Sequence, residues 1–170
     1  MREKTVCFSG HRPEKLPFEG DSSIPEVKML MSKLFAEIDE SIEKGYTTFI
    51  SGVAKGVDIW SAKYIVEKKE RNPNIKLICA VPYRNHGENW KGVDKWDLSW
   101  IFAKADEINY ISENYHKLCM KMRNEYMVDN SAKLIAVVQN YKSGTGQTIR
   151  YAKKQNLEIK IIDTNKFLSL

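Results

Sequence analysis

Apolar positions along this chain change period repeatedly, and the period predicts the elements. Residues 5–9 place Val6 and Phe8 on one face and Cys7 on the other, the alternation of a strand. A loop broken by Pro13 and Pro17 follows over 10–23. Pro25 is placed to open a helix reaching about residue 44, in which Val27, Leu30, Met31, Leu34, Phe35, Ile38 and Ile42 recur every three or four positions. Gly45 ends it. The same reading predicts a strand at 47–51, a helix at 56–71, a turn at 72–74 and a strand at 75–81, apolar except at Lys76. After an irregular loop at 82–91 come a helix at 93–105, a strand at 107–111 and a helix at 115–130. A strand at 133–138, a turn at 140–144, a helix at 145–155 and a strand at 158–162 close the pattern.

Strands that alternate with long helices imply a parallel sheet with helices on both faces. The expected fold class is therefore α/β: a Rossmann-like three-layer sandwich with a mostly parallel sheet of about six strands. Its ligand site is expected beyond the carboxyl ends of the strands, near the switch in strand order. The length of 170 residues suits one domain over 1–170. No apolar run approaches the roughly 20 residues that span a bilayer, and the opening residues lead straight into a strand, so a cytoplasmic protein without a membrane partner is expected. Cys7, Cys79 and Cys119 are widely spaced in apolar or helical surroundings and read as reduced core thiols. The three histidines form no metal-ligand cluster with them, so no metal is expected. The net charge of +5 favours anionic ligands but is too mild to establish nucleic-acid binding.

The candidate chemistry lies in the loops after the strands. Ser51, Gly52, Lys55, Gly56 and Asp58 occupy a strand–turn–helix unit, where glycines let the backbone approach a ligand and a helix N-terminus favours an anion. Ser9, Gly10, His11 and Arg12 follow the first strand; the Arg12 guanidinium is a planar fork suited to phosphate or carboxylate. Gly144, Thr145 and Thr148 open the helix after the fifth strand and read as a second anion nest. The aromatic loop holding Tyr83, His86 and Trp90 reads equally as a cover for a base or ribose and as a surface excursion. Trp60, Trp90, Trp96 and Trp100 read as packing residues before stacking platforms.

These motifs carry a resemblance. Ile50-Ser51-Gly52-Val53-Ala54-Lys55-Gly56-Val57-Asp58 closely resembles the Ser-Gly-Leu-Ala-Arg-Gly-Ile-Asp turn of the DNA-processing Smf/DprA family, and Ser143-Gly144-Thr145 with Thr148 resembles its later Ser-Gly-Ser/Thr turn. Gly10-His11-Arg12-Pro13, Asp58 with Trp60 and Ala62, and Arg123-Asn124 ahead of the fifth strand resemble the YpsA-like branch of the same superfamily, SLOG (Smf/DprA and LOG). The resemblance implies a Rossmann-like domain binding a nucleotide or an ADP-ribose-like ligand as sensor or carrier, with Arg123 and Asn124 added to the site. It also implies two alternatives. LOG proteins cleave nucleoside 5′-monophosphates at the N-glycosidic bond with an arginine, which Arg123 matches, and a glutamate after a glycine turn, where this chain has Gln147 and no carboxylate. Glu125 or Asp58 would have to replace that glutamate. Single-stranded DNA binding in the DprA manner is the other alternative, and a homo-oligomer stays open.

Overall fold

The computed structural model describes residues 2–167. Six strands form one sheet: β1 (Thr5–Gly10), β2 (Thr48–Ser51), β3 (Lys76–Val81), β4 (Glu107–Tyr110), β5 (Lys133–Val138) and β6 (Glu158–Asp163). The order is β4-β3-β2-β1-β5-β6 and every pairing is parallel. The chain thus winds from β1 outward to β4, then returns past β1 to lay down β5 and β6. The switch point lies between β1 and β5, where Phe8 registers with Ile135 and Gly10 with Val137.

Five helices cover the faces: α1 (Pro25–Glu43), α2 (Val57–Arg71), α3 (Gly92–Lys104), α4 (Cys119–Asp129) and α5 (Gly144–Lys154). Strand alternation divides the core. Val6, Phe8, Phe49, Leu77, Cys79, Ile135 and Val137 pack with Leu30, Leu34 and Ile38 of α1, Ile65 of α2 and Ile101 of α3. Cys7, Ile50, Ala80, Leu134 and Ala136 point the other way, onto Met127 of α4 and Ile149 of α5. The Rossmann-like reading therefore holds, with all six strands parallel. Each of these helices turns a stripe of buried residues toward its layer.

Two details differ from the sequence pattern. The loop at 10–23 contains two short 3₁₀ turns, Pro13–Lys15 and Pro17–Gly20. The helix expected from 115 begins only at Cys119. His116 stops it from starting earlier: its Nδ1 accepts from the Leu118 N–H at 3.3 Å and its Nε2 donates to Ser112 Oγ at 3.1 Å, fixing a local turn instead. At the opposite, amino end of the sheet, the buried Lys133 donates to Ser41 Oγ at 2.8 Å and lies 3.7 Å from Glu158. Its charge is met locally and far from the site. No helix among the described residues is long and apolar enough to cross a membrane.

Candidate functional site

A cleft of about 320 Å³ opens at the switch point between β1 and β5. It is lined from β1 and its loop by Ser9, Gly10, His11 and Arg12, from α2 by Asp58, from α4 by Arg123 and Asn124, and from the start of α5 by Gly144 and Thr145. Nine of the fourteen residues expected from the sequence therefore meet in one place. Three cations (Arg12, Lys15, Arg123) face two carboxylates (Glu14, Asp58) across it.

Arg123 reaches the cleft because Cys119, Arg123 and Met127 form the buried stripe of α4 at intervals of four, directed onto the sheet. The side chain is only 5% exposed. Its Nη1 donates to the Gly52 carbonyl and its Nε to Asn124 Oδ1 at 2.8 Å. Burial pulls the guanidinium below its ordinary pKa, and the Asp58 charge opposes that pull. Gly52 is required here by space. A Cβ on it would lie 2.5 Å from Arg123 Nη1 and 2.8 Å from Asp58 Oδ2, so the glycine backbone is threaded between guanidinium and carboxylate.

Asp58 is also 5% exposed, and its Oδ2 accepts from the Ala54 N–H at 3.3 Å. Burial raises its pKa, against the pull of Arg123. Its Oδ1 is buried without a hydrogen-bond partner among the described residues. The turn after β2 is thus partly filled by the protein's own carboxylate. Ser51 Oγ accepts from the Val53 N–H at 3.2 Å and donates to the Asp58 carbonyl at 2.9 Å. Val53 holds φ +48, a left-handed value unusual for a β-branched residue. His86 fixes it from outside: Nε2 donates to the Val53 carbonyl at 2.8 Å. Gly56, at φ +92, faces away from the cleft, where a Cβ would lie 2.8 Å from the His11 carbonyl.

The turn before α5 is different. Ser143 Oγ accepts from the Gly146 N–H at 3.2 Å, and the Gln147 N–H bonds to the Ser143 carbonyl. The N–H groups of Gly144 and Thr145 keep no partner among the described residues, and no atom lies within 4 Å of a Cβ built on Gly144. This end of the cleft is an open, positively polarised helix terminus. Thr148 is not part of it: its Oγ1 donates back to the Gly144 carbonyl at 3.0 Å. His11 links the two sides, with Nε2 accepting from the N–H groups of Gln139 (2.8 Å) and Asn140 (3.3 Å). That bond fixes the neutral tautomer with Nδ1–H, and burial lowers the ring's pKa in the same direction. The Arg12 side chain has no hydrogen-bond or ion-pair partner among the described residues and stands exposed at the rim.

A second cavity of about 380 Å³ adjoins the first and shares Arg12, Glu14, Ala54 and Met120 with it. Tyr83, His86, Trp90 and Tyr115 form its wall, and Lys55 sits here, paired with Asp94 at 3.3 Å. Tyr115 and Met120 escaped the sequence reading. Met120 carried a signal, since it precedes Arg123 by three on one helix; Tyr115 is brought in by a turn that periodicity cannot place. Glu125 faces elsewhere, into a small groove with Lys121 and Gln147, and lies 3.8 Å from Lys121.

Comparison with known proteins agrees with this architecture. The solved structure of DNA processing protein A from Helicobacter pylori, described for its single-stranded DNA binding mode, superposes with a TM-score of 0.60 at 19% identity, over 97% of this chain and 71% of that one. An uncharacterized SPbeta prophage-derived protein of Bacillus subtilis, YoqJ, is 33% identical over 146 residues, covering 78% of this chain and 85% of the relative. A UPF0398 protein of Bacillus cereus is 26% identical over 159 residues, 92% of this chain and 85% of its own length. Residues 6–167 match the YpsA family model, described as the YspA SLOG family, and the chain belongs to that family.

Proposed function

We propose that the cleft between β1 and β5 binds a phosphate-bearing ligand derived from a nucleotide, and that the protein senses or carries this ligand. One observation carries the reading. The unpartnered Arg12 guanidinium and the open amide groups of Gly144 and Thr145 line the same cavity, so a planar fork and a helix terminus share one space. Asp58 gives the reading its polarity. Its buried Oδ1, without a hydrogen-bond partner among the described residues, would accept a hydroxyl or amine of the ligand once the turn after β2 shifts to expose it, while the phosphate lies at the α5 end. The earlier turn at 52–56 offers fewer donors to the phosphate, since Asp58 already takes the Ala54 N–H.

The test is native mass spectrometry of protein purified from cells, followed by calorimetry with AMP and ADP-ribose. A co-purified or titrated nucleotide is expected to bind the wild type, and Arg12→Ala to weaken it about tenfold to a hundredfold, the loss of a charge-assisted contact of about 1.5–3 kcal/mol. Unchanged affinity in Arg12→Ala would remove Arg12 from the site. Tight binding of a single-stranded oligonucleotide with none of AMP or ADP-ribose would favour the nucleic-acid alternative that the Helicobacter relative suggests.

A further inference from the structure

We propose that the second cavity is a chamber for the planar base of the ligand, so that the protein takes a mononucleotide with its phosphate in the β1/β5 cleft and its base against Tyr83, Trp90 and Tyr115. The proposal rests on the phosphate reading above and deepens it by assigning the other end of the ligand. The two cavities adjoin, and Arg12, Glu14, Ala54 and Met120 line both. A molecule with an anionic and an apolar flat end therefore finds both complements in adjoining spaces.

The wall is built for a ring. Tyr115 meets Tyr83 edge-to-face at 5.4 Å, Tyr83 meets His86 at 5.6 Å, and His86 meets Trp90 at 5.0 Å. Edge-to-face packing covers one ring face per pair and leaves others open, whereas Phe35 and Tyr64 elsewhere stack flat at 4.2 Å and cover each other. Tyr115 is 67% exposed beside the chamber and belongs to neither core cluster. Its position is nonetheless held. Arg84 forms a two-pronged bond to Glu113, at 2.9 and 2.7 Å, which staples the loop carrying Tyr83 to the loop carrying Tyr115. His86 donates Nε2–H to Val53, which leaves Nδ1 an acceptor on a ring lining the chamber. Lys55 Nζ lies over one face of the Trp90 ring, 5.1 Å from its centre, so a base would take the ring's other face or displace the lysine. Stacking on such a surface is sequence-tolerant, because every base has a π-face.

Calorimetry with ribose 5-phosphate, AMP and GMP separates the two claims. AMP or GMP is expected to bind the wild type about tenfold more tightly than ribose 5-phosphate, the increment of one stacked base. Tyr115→Ala and Trp90→Ala should erase that increment while leaving ribose 5-phosphate affinity unchanged, and Trp90→Phe should keep it. Tyr115 is exposed, so its variant tests the chamber even where Trp90→Ala unfolds. Equal affinity for ribose 5-phosphate and both nucleotides overturns the chamber and leaves the phosphate site standing, as does an undiminished increment in Tyr115→Ala. Failure of all three probes to bind overturns both.

Discussion

Arg123 donates from Nη1 to the carbonyl of Gly52, 71 residues away in sequence, and the Gly52 backbone lies between that guanidinium and the Asp58 carboxylate. The bond joins α4, from one layer, to the turn after β2 that opens α2 in the other. A methyl group on Gly52 would meet both charged groups below 3 Å, so Gly52→Ala is expected to destabilise the protein by about 1–3 kcal/mol, the usual cost of overpacking. Gly144 is the internal control. Its Cβ position is open and it is the first residue of α5, so Gly144→Ala should be neutral or stabilising by up to about 1 kcal/mol. Urea unfolding midpoints of the two variants decide it; equal losses would mean that Arg123 and Asp58 are free to move aside.

Acid should weaken the fold through His86. Burial pushes its imidazole down to about 4, from 6.5, against the Val53 hydrogen bond. Below about pH 6.5 the unfolded chain takes this proton and the folded one does not, so stability present at neutral pH is lost as pH falls toward 4. The full window is worth about 3 kcal/mol. His11 is shifted in the same direction and adds to the loss. Asp58 opposes both, since its raised pKa lets the folded state take a proton before the unfolded state does. Chemical denaturation from pH 7 to 4.5 should therefore show a fall in stability that is shallower in His86→Gln. An identical slope in that variant would place the acid sensitivity elsewhere.

The thiols give an independent check on the core. Cys7, Cys79 and Cys119 are all buried, and burial pushes Cys7 and Cys79 up to about 12. Thiolate is the reactive form, so none should react with an aromatic disulfide reagent within minutes in native buffer. All three should react in denaturant. A fast native thiol traced to Cys119 would show that the first turn of α4, which carries the arm to Arg123, opens on that timescale.

The sheet and its three glycine turns were legible because hydrophobic period and turn chemistry are local. Val6 and Phe8 against Cys7, or the stripe through Leu30, Leu34 and Ile38, need no tertiary information. The convergence of Gly10, Arg12 and Gly144 followed from one further rule, that ligands sit at the switch in strand order. What could not be read depends on pairings between distant residues. Nothing local says that Asp58 turns back to the Ala54 N–H and takes one donor of the first turn. Likewise, the burial of His86 and the placement of Tyr115 depend on two loops joined by Arg84 and Glu113. The late start of α4 is a competition that a single side chain, His116, decides.

Hydrolysis of a bound nucleoside monophosphate is expected to be slow, and geometry strengthens the case made from sequence. Breaking an N-glycosidic bond needs a carboxylate placed to stabilise charge on the sugar or to activate water. The helix after Gly144 offers only Gln147 at its start, and Glu125 lies in the neighbouring groove beside Lys121 and does not line the cleft. Asp58 is the buried carboxylate that remains. Its Oδ2 is held by the Ala54 N–H, which ties the carboxylate back to its own turn. With AMP as substrate and chromatographic detection of adenine, the wild type should release base no faster than an Asp58→Asn, Glu125→Gln double variant. Rapid release by the wild type, kept in Glu125→Gln and lost in Asp58→Asn, would instead make Asp58 the catalytic carboxylate and the cleft an active site.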